Sequence, residues 1–258
     1  MFEPLKPIPS GLRVVLGIAF FVLFFAFWAL ATFAGWVQPL FLADPVKTLK
    51  AGIALFAEYN FIGDVGITVW RVVGGFVVAA VLAVPLGIVM GAYKPIGAFF
   101  EPFISFARYL PASAFIPLLI LWAGVGEAQK LSVIVIGSFF QIVLMVAVIV
   151  GATRRDLVEA AYTLGASGNG IVLRVILPGA APQIAETLRL VLGWAWTYVI
   201  VAELVGAQSG IGHMIMDSQR LLDTGQMIFG IVVIGLIGLV SDFAFKWLNQ
   251  RLYPWSLA

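Results

Sequence analysis

The stretch LSVIVIGSFFQIVLMVAVIVGAT, residues 131–153, runs from Lys130 to Arg154 without one charged side chain. A helix needs about 20 mainly apolar residues to cross roughly 30 Å of hydrocarbon, and this run supplies them. A strand of a membrane barrel would alternate apolar and polar residues over about 10 positions, so the run predicts a helix. Charges bracket similar gaps between Arg13 and Asp44, Arg71 and Lys94, Arg108 and Glu127, and Asp223 and Asp242. The expected spans are therefore 13–35, 66–92, 103–124, 130–152 and 225–246. A sixth, about 182–206, contains Glu186, Arg189 and Glu203, yet Leu188 to Val205 is otherwise apolar apart from Thr197. The fold class that follows is all-α, a polytopic membrane helical bundle of about six transmembrane helices.

Composition agrees. Of 258 residues, 62% are hydrophobic and 11% charged, against about 45–50% and 25% in a soluble domain, and the mean hydropathy is +1.07. Disorder is excluded by the same figures. The absence of cysteine excludes a disulfide-stapled module, and a single histidine, His213, rules out a histidine-rich metal site. Pro85, Pro111 and Pro117 fall inside spans, where neighbouring helices satisfy the freed carbonyls. Gly87 and Gly91 have the spacing of a close-packing face. Trp36, Tyr93, Trp122, Trp247, Tyr253 and Trp255 mark expected membrane interfaces. Ala29-Leu30-Ala31 resembles a signal cleavage site, but the apolar run Val14 to Ala34 is longer than a leader core and reads as a span. Residues 1–60 are expected to form the first span and an outer loop, and residues 61–258 the main body.

Lysine and arginine set the orientation, because they accumulate on the cytosolic side. With the N-terminus inside, Lys6, Arg13, Lys94, Arg154, Arg155, Arg174, Lys246 and Arg251 lie inside; Lys47, Lys50, Lys130 and Arg220 lie outside. Both termini are thus expected in the cytosol. The net charge of +2 is a signature of topology and implies no nucleic-acid partner.

Residues 153–181 are then the one sizeable inward loop. Thr153-Arg154-Arg155-Asp156 has the hydroxyl and carboxylate spacing of a helix start. A short helix follows from Leu157 to Leu164, with Leu157, Ala160, Ala161 and Leu164 on one face. Gly165 is placed to end it in a left-handed conformation, Ser167 to cap a second short helix, and Pro178 to stop that helix. The expectation is a stiff corner whose small residues let another protein approach closely.

Glu159-Ala160-Ala161, three residues, Gly165, nine residues, then Val175-Ile176-Leu177-Pro178 resembles the EAA loop of bacterial ABC importer permeases, with Val175 where isoleucine is usual. Ile116-Pro117-Leu118-Leu119-Ile120-Leu121-Trp122, Gly124-Val125-Gly126-Glu127, Gly193-Trp194-Ala195-Trp196, Ala202-Glu203-Leu204 and Gly210-Ile211-Gly212 look like the nitrate/sulfonate/taurine/bicarbonate group of those permeases. The likeness covers roughly residues 64–255. It implies a type I importer permease fold and a transport subunit rather than an enzyme. It implies that Glu159, Ala160, Ala161, Leu164, Gly165, Ala166 and Ser167 couple to a cytosolic ATPase. It further implies two ATPase copies, a second and identical permease chain, and a periplasmic or lipid-anchored binding protein that brings the cargo. No phosphate-binding G-x-x-x-x-G-K-[ST] loop occurs in this chain, so ATP and Mg belong to the partner. The group favours a small anion, with a thiamine-related pyrimidine or a flavin as the alternative.

Arg108, just before Pro111, either draws an anion into the pathway or anchors the span through Glu101. Arg71 is expected to snorkel to the outer interface, and Glu186 with Arg189 to form a local ion pair. Glu203 either bonds the outer loop as a gate element or joins a structural ion pair. Gly210 and Gly212 read as a flexible outer turn with a gating role, or simply as a tight turn. A secondary transporter or channel would show internal inverted repeats, and an intramembrane enzyme would show a catalytic dyad or a metal cluster. Neither pattern is present in the sequence.

Overall fold

A computed structural model describes residues 8–257; Lys6, counted above for orientation, lies outside them. The described residues are helical, with no strand among them. The chain packs as two compact units, one from the residues up to Asn60 with Ile215–Val232, the other from Phe61–Met214 with the residues from Val233 onward.

The first unit contains α1 (Ser10–Phe33) and α2 (Pro45–Glu58). Asp44 caps α2 by accepting from the Lys47 amide at 2.8 Å, the usual remedy for an unpaired first-turn N–H. The indole of Trp28 donates to the Ala43 carbonyl at 3.0 Å and ties the end of α1 to the start of α2. Most side chains of α1 face outward and are apolar, as suits a helix solvated by lipid.

The second unit holds the core. Its frame is α3 (Phe61–Ala92) against α6 (Glu127–Gly151), with α9 (Leu177–Leu204) on α6. The expected glycine face is real: a β-carbon on Gly87 would stand 2.7 Å from the Val143 carbonyl, and one on Gly91 2.5 Å from that of Ala147. Backbones this close give strong dispersion contact without a large side chain, which is how helices associate in lipid. Val72, Ala79, Ala83, Ile134, Ile142 and Val146 fill the seam.

Five described helices are long and apolar enough to cross a membrane, and a sixth crossing exists only if one bent pair counts as a span. The bent pair is the third expected span. It is α4 (Lys94–Ala107) followed, after a turn and a 3-10 segment at Ala112–Phe115, by α5 (Ile116–Ala123), with an 82° bend between the two arms. Pro111, which lacks an amide hydrogen and is extended here, sits at the break. The expected span at 103–124 is therefore a broken one: residues 103–107 belong to the α4 arm and 116–123 to the α5 arm. The fifth span, untidy in sequence, is regular. Pro178 does not end a helix either. After α7 (Arg155–Thr163) and the short α8 (Gly168–Ile171), a π-helical turn at Val172–Ile176 runs directly into α9, with Pro178 in the first turn of α9. A proline is tolerated there. The remaining helices are α10 (Ile211–Arg220) and α11 (Thr224–Leu252).

Candidate functional site

The corner at 153–178 is built as a closed turn. Gly165 has φ +79°, a left-handed conformation that costs an L side chain roughly 1–2 kcal/mol. Its amide donates to the Tyr162 carbonyl at 2.9 Å, and the Ala166 amide to that of Ala161 at 3.0 Å. These are the paired bonds of a Schellman ending, which satisfy the last carbonyls of α7. The expected capping by Thr153 and Asp156 does not form: Asp156 instead accepts from the Arg154 guanidinium, which holds its carboxyl below the usual range. Ser167 occupies the first cap position of α8, but its hydroxyl oxygen accepts no cap bond from the backbone amides.

The single apolar face expected on α7 splits in two. Ala161 is buried, and Val158 packs with it on the core. Leu157, Ala160 and Leu164 face out, and Leu164 is 87% exposed at the tip of the turn. Glu159, Gly165 and Ser167 are also exposed, and Ala166 is half-buried. The Tyr93 hydroxyl donates to the Asn169 side-chain oxygen at 2.7 Å and joins the corner to the end of α3. The corner is thus rigid on its inner side and apolar on its outer side.

At the opposite end of α9 lies a buried polar cluster. Arg71 was expected at an interface, but its side chain is 1% exposed. The correction has a clear cause, since all five N–H donors of a guanidinium find acceptors. Nε and Nη2 grip both oxygens of Glu127 at 2.7 and 2.6 Å, Nη1 meets Glu203 at 2.8 Å and the Ser209 carbonyl at 2.7 Å, and Nη2 reaches the Ser209 hydroxyl at 3.3 Å. Glu203, 1% exposed, also accepts from the Thr68 hydroxyl at 2.9 Å and the Gly212 amide at 2.8 Å. The Thr68 oxygen accepts from the Ile211 amide at 2.9 Å, and Asp64 accepts from the Gly210 amide at 2.6 Å.

Three successive amides at the start of α10 are therefore capped by side chains from α3 and α9. A helix N-terminus carries unpaired N–H groups and partial positive charge, so two carboxylates and a hydroxyl suit it. Gly210, at φ +110°, leaves no room for a β-carbon, which would fall 2.6 Å from the Glu203 carboxyl. Gly212 is equally confined, at 2.7 Å from the Glu203 β-carbon. Glu203 is thus an ion-pair partner of Arg71 and at the same time the acceptor that ties down the turn at Gly212. Asp64, Thr68 and Glu127 were missed, although Asp64, Thr68 and Arg71 recur at i, i+4 and i+7 on one helix face. That polar stripe in an apolar span was the available signal.

Arg108 and Pro111 lie apart from this cluster, at the break between α4 and α5. Among the described residues no ion pair forms between Arg108 and Glu101; the guanidinium donates to the Tyr109 hydroxyl at 2.7 Å and lies over that ring at 4.6 Å. The expected Glu186–Arg189 pair is present at 2.6 Å, and Arg189 also approaches Asp242 at 3.4 Å.

Known proteins with this architecture agree. Residues 83–253 match the family described as "Binding-protein-dependent transport system inner membrane component". A probable ABC transporter permease protein of Brucella abortus (strain 2308) is 36% identical over 229 residues, 89% of this chain and 90% of that one. The taurine transport system permease protein TauC of Escherichia coli (strain K12) is 31% identical over 96% of this chain and 92% of its own length. A putative aliphatic sulfonates transport permease protein, SsuC of Bacillus subtilis (strain 168), is 31% identical over 89% of this chain and 83% of its own. In fold, the chain superposes on an inward-facing MetNI methionine ABC transporter with a TM-score of 0.65, covering 75% of this chain and 96% of that one at 19% identity. The chain belongs to the binding-protein-dependent inner membrane component family, and it is a multi-pass permease subunit of an ABC importer rather than an enzyme.

Proposed function

We propose that this permease imports a small anion, delivered by a periplasmic or lipid-anchored binding protein and driven by two copies of a cytosolic ATPase that carries the ATP and Mg. Two identical permease chains enclose the pathway in the bacterial inner membrane, with both termini cytosolic, a placement that the lysine and arginine distribution supports. The chain divides functionally into a first span and outer loop, residues 1–60, and a permease core, 61–258. The ATPase docks on Glu159, Ala160, Ala161, Leu164, Gly165, Ala166 and Ser167, where Ala161 supports the docking face from beneath.

One observation carries this reading: Leu164, a large apolar side chain 87% exposed, stands on a turn that is locked by hydrogen bonds and continuous with α9. Exposed leucine on a rigid support fits a pocket in a partner. A push on the corner travels along α9, 28 residues or about 42 Å at 1.5 Å per residue, and arrives at Glu203. There it bears on the α10 start through Gly210 and Gly212, the outer gate in this account, while Arg108 and Pro111 line the pathway at the broken span. The relatives named for taurine and aliphatic sulfonates support an anionic cargo.

The test is uptake by proteoliposomes holding the permease, its ATPase and its binding protein. Labelled taurine and nitrate are compared with thiamine and riboflavin. ATP-dependent uptake of an anion is expected. Uptake of the ring compounds alone, or uptake without the ATPase, overturns the proposal.

A further inference from the structure

We infer that a cavity at the broken third span is the cargo's holding site within the membrane, and that it takes a small oxyanion on Arg108, Gln141 and Tyr198. The inference rests on the anion-import reading and assigns its chemistry to named groups. The cavity, about 160 Å³, is walled by the turn Arg108–Ala112, by α6 through Ile136, Gly137, Phe140 and Gln141, and by Tyr198 of α9.

Three features make it a site. First, Arg108 is a cation with no carboxylate partner among the described residues; its one side-chain bond goes to the neutral Tyr109. Arg108 is exposed at the break inside the bent third span, and a charge within a membrane segment faces a polar cavity or a partner. Second, Gln141 sits near the middle of the 25-residue α6, and neither its amide nor the Tyr198 hydroxyl hydrogen-bonds to another described residue. Polar groups at that depth are costly without partners, so the cavity is where their partners belong. Third, Gly137 lies one turn before Gln141 on the same face of α6, and a β-carbon there would stand 2.6 Å from the Tyr198 ring. Glycine at 137 is what lets the tyrosine ring lie against α6 beside the amide.

The amide N–H₂ and phenol O–H are donors, and with the guanidinium they suit an acceptor-only group carrying negative charge. Size narrows the class further. A cavity of about 150 Å³ holds a benzene ring, so this one accepts roughly six to eight non-hydrogen atoms: nitrate, a two-carbon sulfonate or a short carboxylate. A flavin does not fit.

The chain has no cysteine, so a thiol introduced by Gln141→Cys or by Tyr198→Cys is unique in the permease. In the detergent-solubilised importer complex, the labelling rate of that thiol by a sulfonate-bearing methanethiosulfonate is compared with that by its trimethylammonium analogue. Each rate is normalised to a free thiol. A unit charge within about 10 Å in a medium of effective dielectric 20 favours the anionic reagent by about tenfold or more. The expected result is that preference at both positions, reduced about tenfold by Arg108→Gln. Gly193→Cys, on an open face of α9, keeps its selectivity in the Arg108→Gln background. An unchanged ratio on loss of Arg108, or thiols at both positions that neither reagent reaches, overturns the inference. Labelling needs no ATP, so anion-selective labelling without ATP-driven uptake leaves the cavity standing and removes the importer reading of its cargo; uptake without selectivity does the reverse.

Discussion

Replacing Arg71 by methionine is the most informative single change in this protein. Methionine keeps most of the stem volume but deletes the guanidinium that meets Glu127, Glu203 and Ser209. The two carboxylates differ in what they lose. Glu127 is 49% exposed and is re-solvated, so Glu127→Gln costs under about 1 kcal/mol, as exposed pairs do. Glu203 is buried, and without Arg71 it keeps only Thr68 and the Gly212 amide. Breaking a buried pair from one side costs about 3–5 kcal/mol, because the remaining charge is uncompensated. Arg71→Met therefore destabilises by about 3–5 kcal/mol, and Glu203→Gln, which leaves Arg71 its bidentate grip on Glu127, by about 1–3 kcal/mol. The double change Arg71→Met with Glu203→Leu removes both buried charges and is more stable than Arg71→Met alone. The assay is reversible unfolding of the purified permease in mixed micelles of rising dodecyl sulfate fraction, followed by helical circular dichroism. A cost below about 1 kcal/mol for Arg71→Met, or a double variant that loses the sum of the singles, refutes the reasoning.

Packing of α3 on α6 is tested by Gly91→Val, whose β-carbon meets the Ala147 carbonyl at 2.5 Å and which costs at least about 1–3 kcal/mol in the same titration. Gly193→Ala has nothing within 4 Å and gains up to about 1 kcal/mol of helix propensity. Gly165→Val meets open space but at φ +79°, so the span bundle stays intact by circular dichroism while co-purification of the ATPase falls. Retention of the ATPase at wild-type levels would count against the turn's geometry as the docking element.

Four of the spans were legible because a charge in hydrocarbon costs about 2.5–3.5 kcal/mol, so charges cluster at helix ends and act as rulers. The third span broke that rule without containing a charge. Its bend comes from Pro111 and the turn before it, which a hydropathy window averages away. Arg71 was misread because its partners Glu127 and Glu203 stand 56 and 132 residues away; the stripe it forms with Asp64 and Thr68 marks a polar face but not what meets it. Pro178 was misread for a different reason. A proline stops a helix where its missing N–H leaves the preceding turn's carbonyl without a donor; Pro178 instead falls in the first turn of α9, directly after the π turn at Val172–Ile176. The Schellman ending at Gly165 was read correctly, since a left-handed residue after an amphipathic turn is a local property. Which face of α7 would be buried was not, since Val158 and Ala161 find their partners only once the chain has turned back through α8 and the π turn at Val172–Ile176.

The proposed mechanical path runs from the exposed face at Leu164 through the locked turn and α9 to the capped start of α10. The path begins at Leu164, and its partner there is the most direct thing to measure. In the assembled importer, the thiol introduced by Leu164→Cys is alkylated with a benzophenone maleimide and irradiated, so that the excited ketone inserts into a C–H bond of whatever protein faces it, and the product is sized and sequenced. The account predicts a covalent adduct between the permease and its ATPase subunit, accompanied by loss of ATP-driven uptake. Absence of that adduct, with the same thiol labelled instead by an impermeant reagent from the periplasmic side, contradicts it.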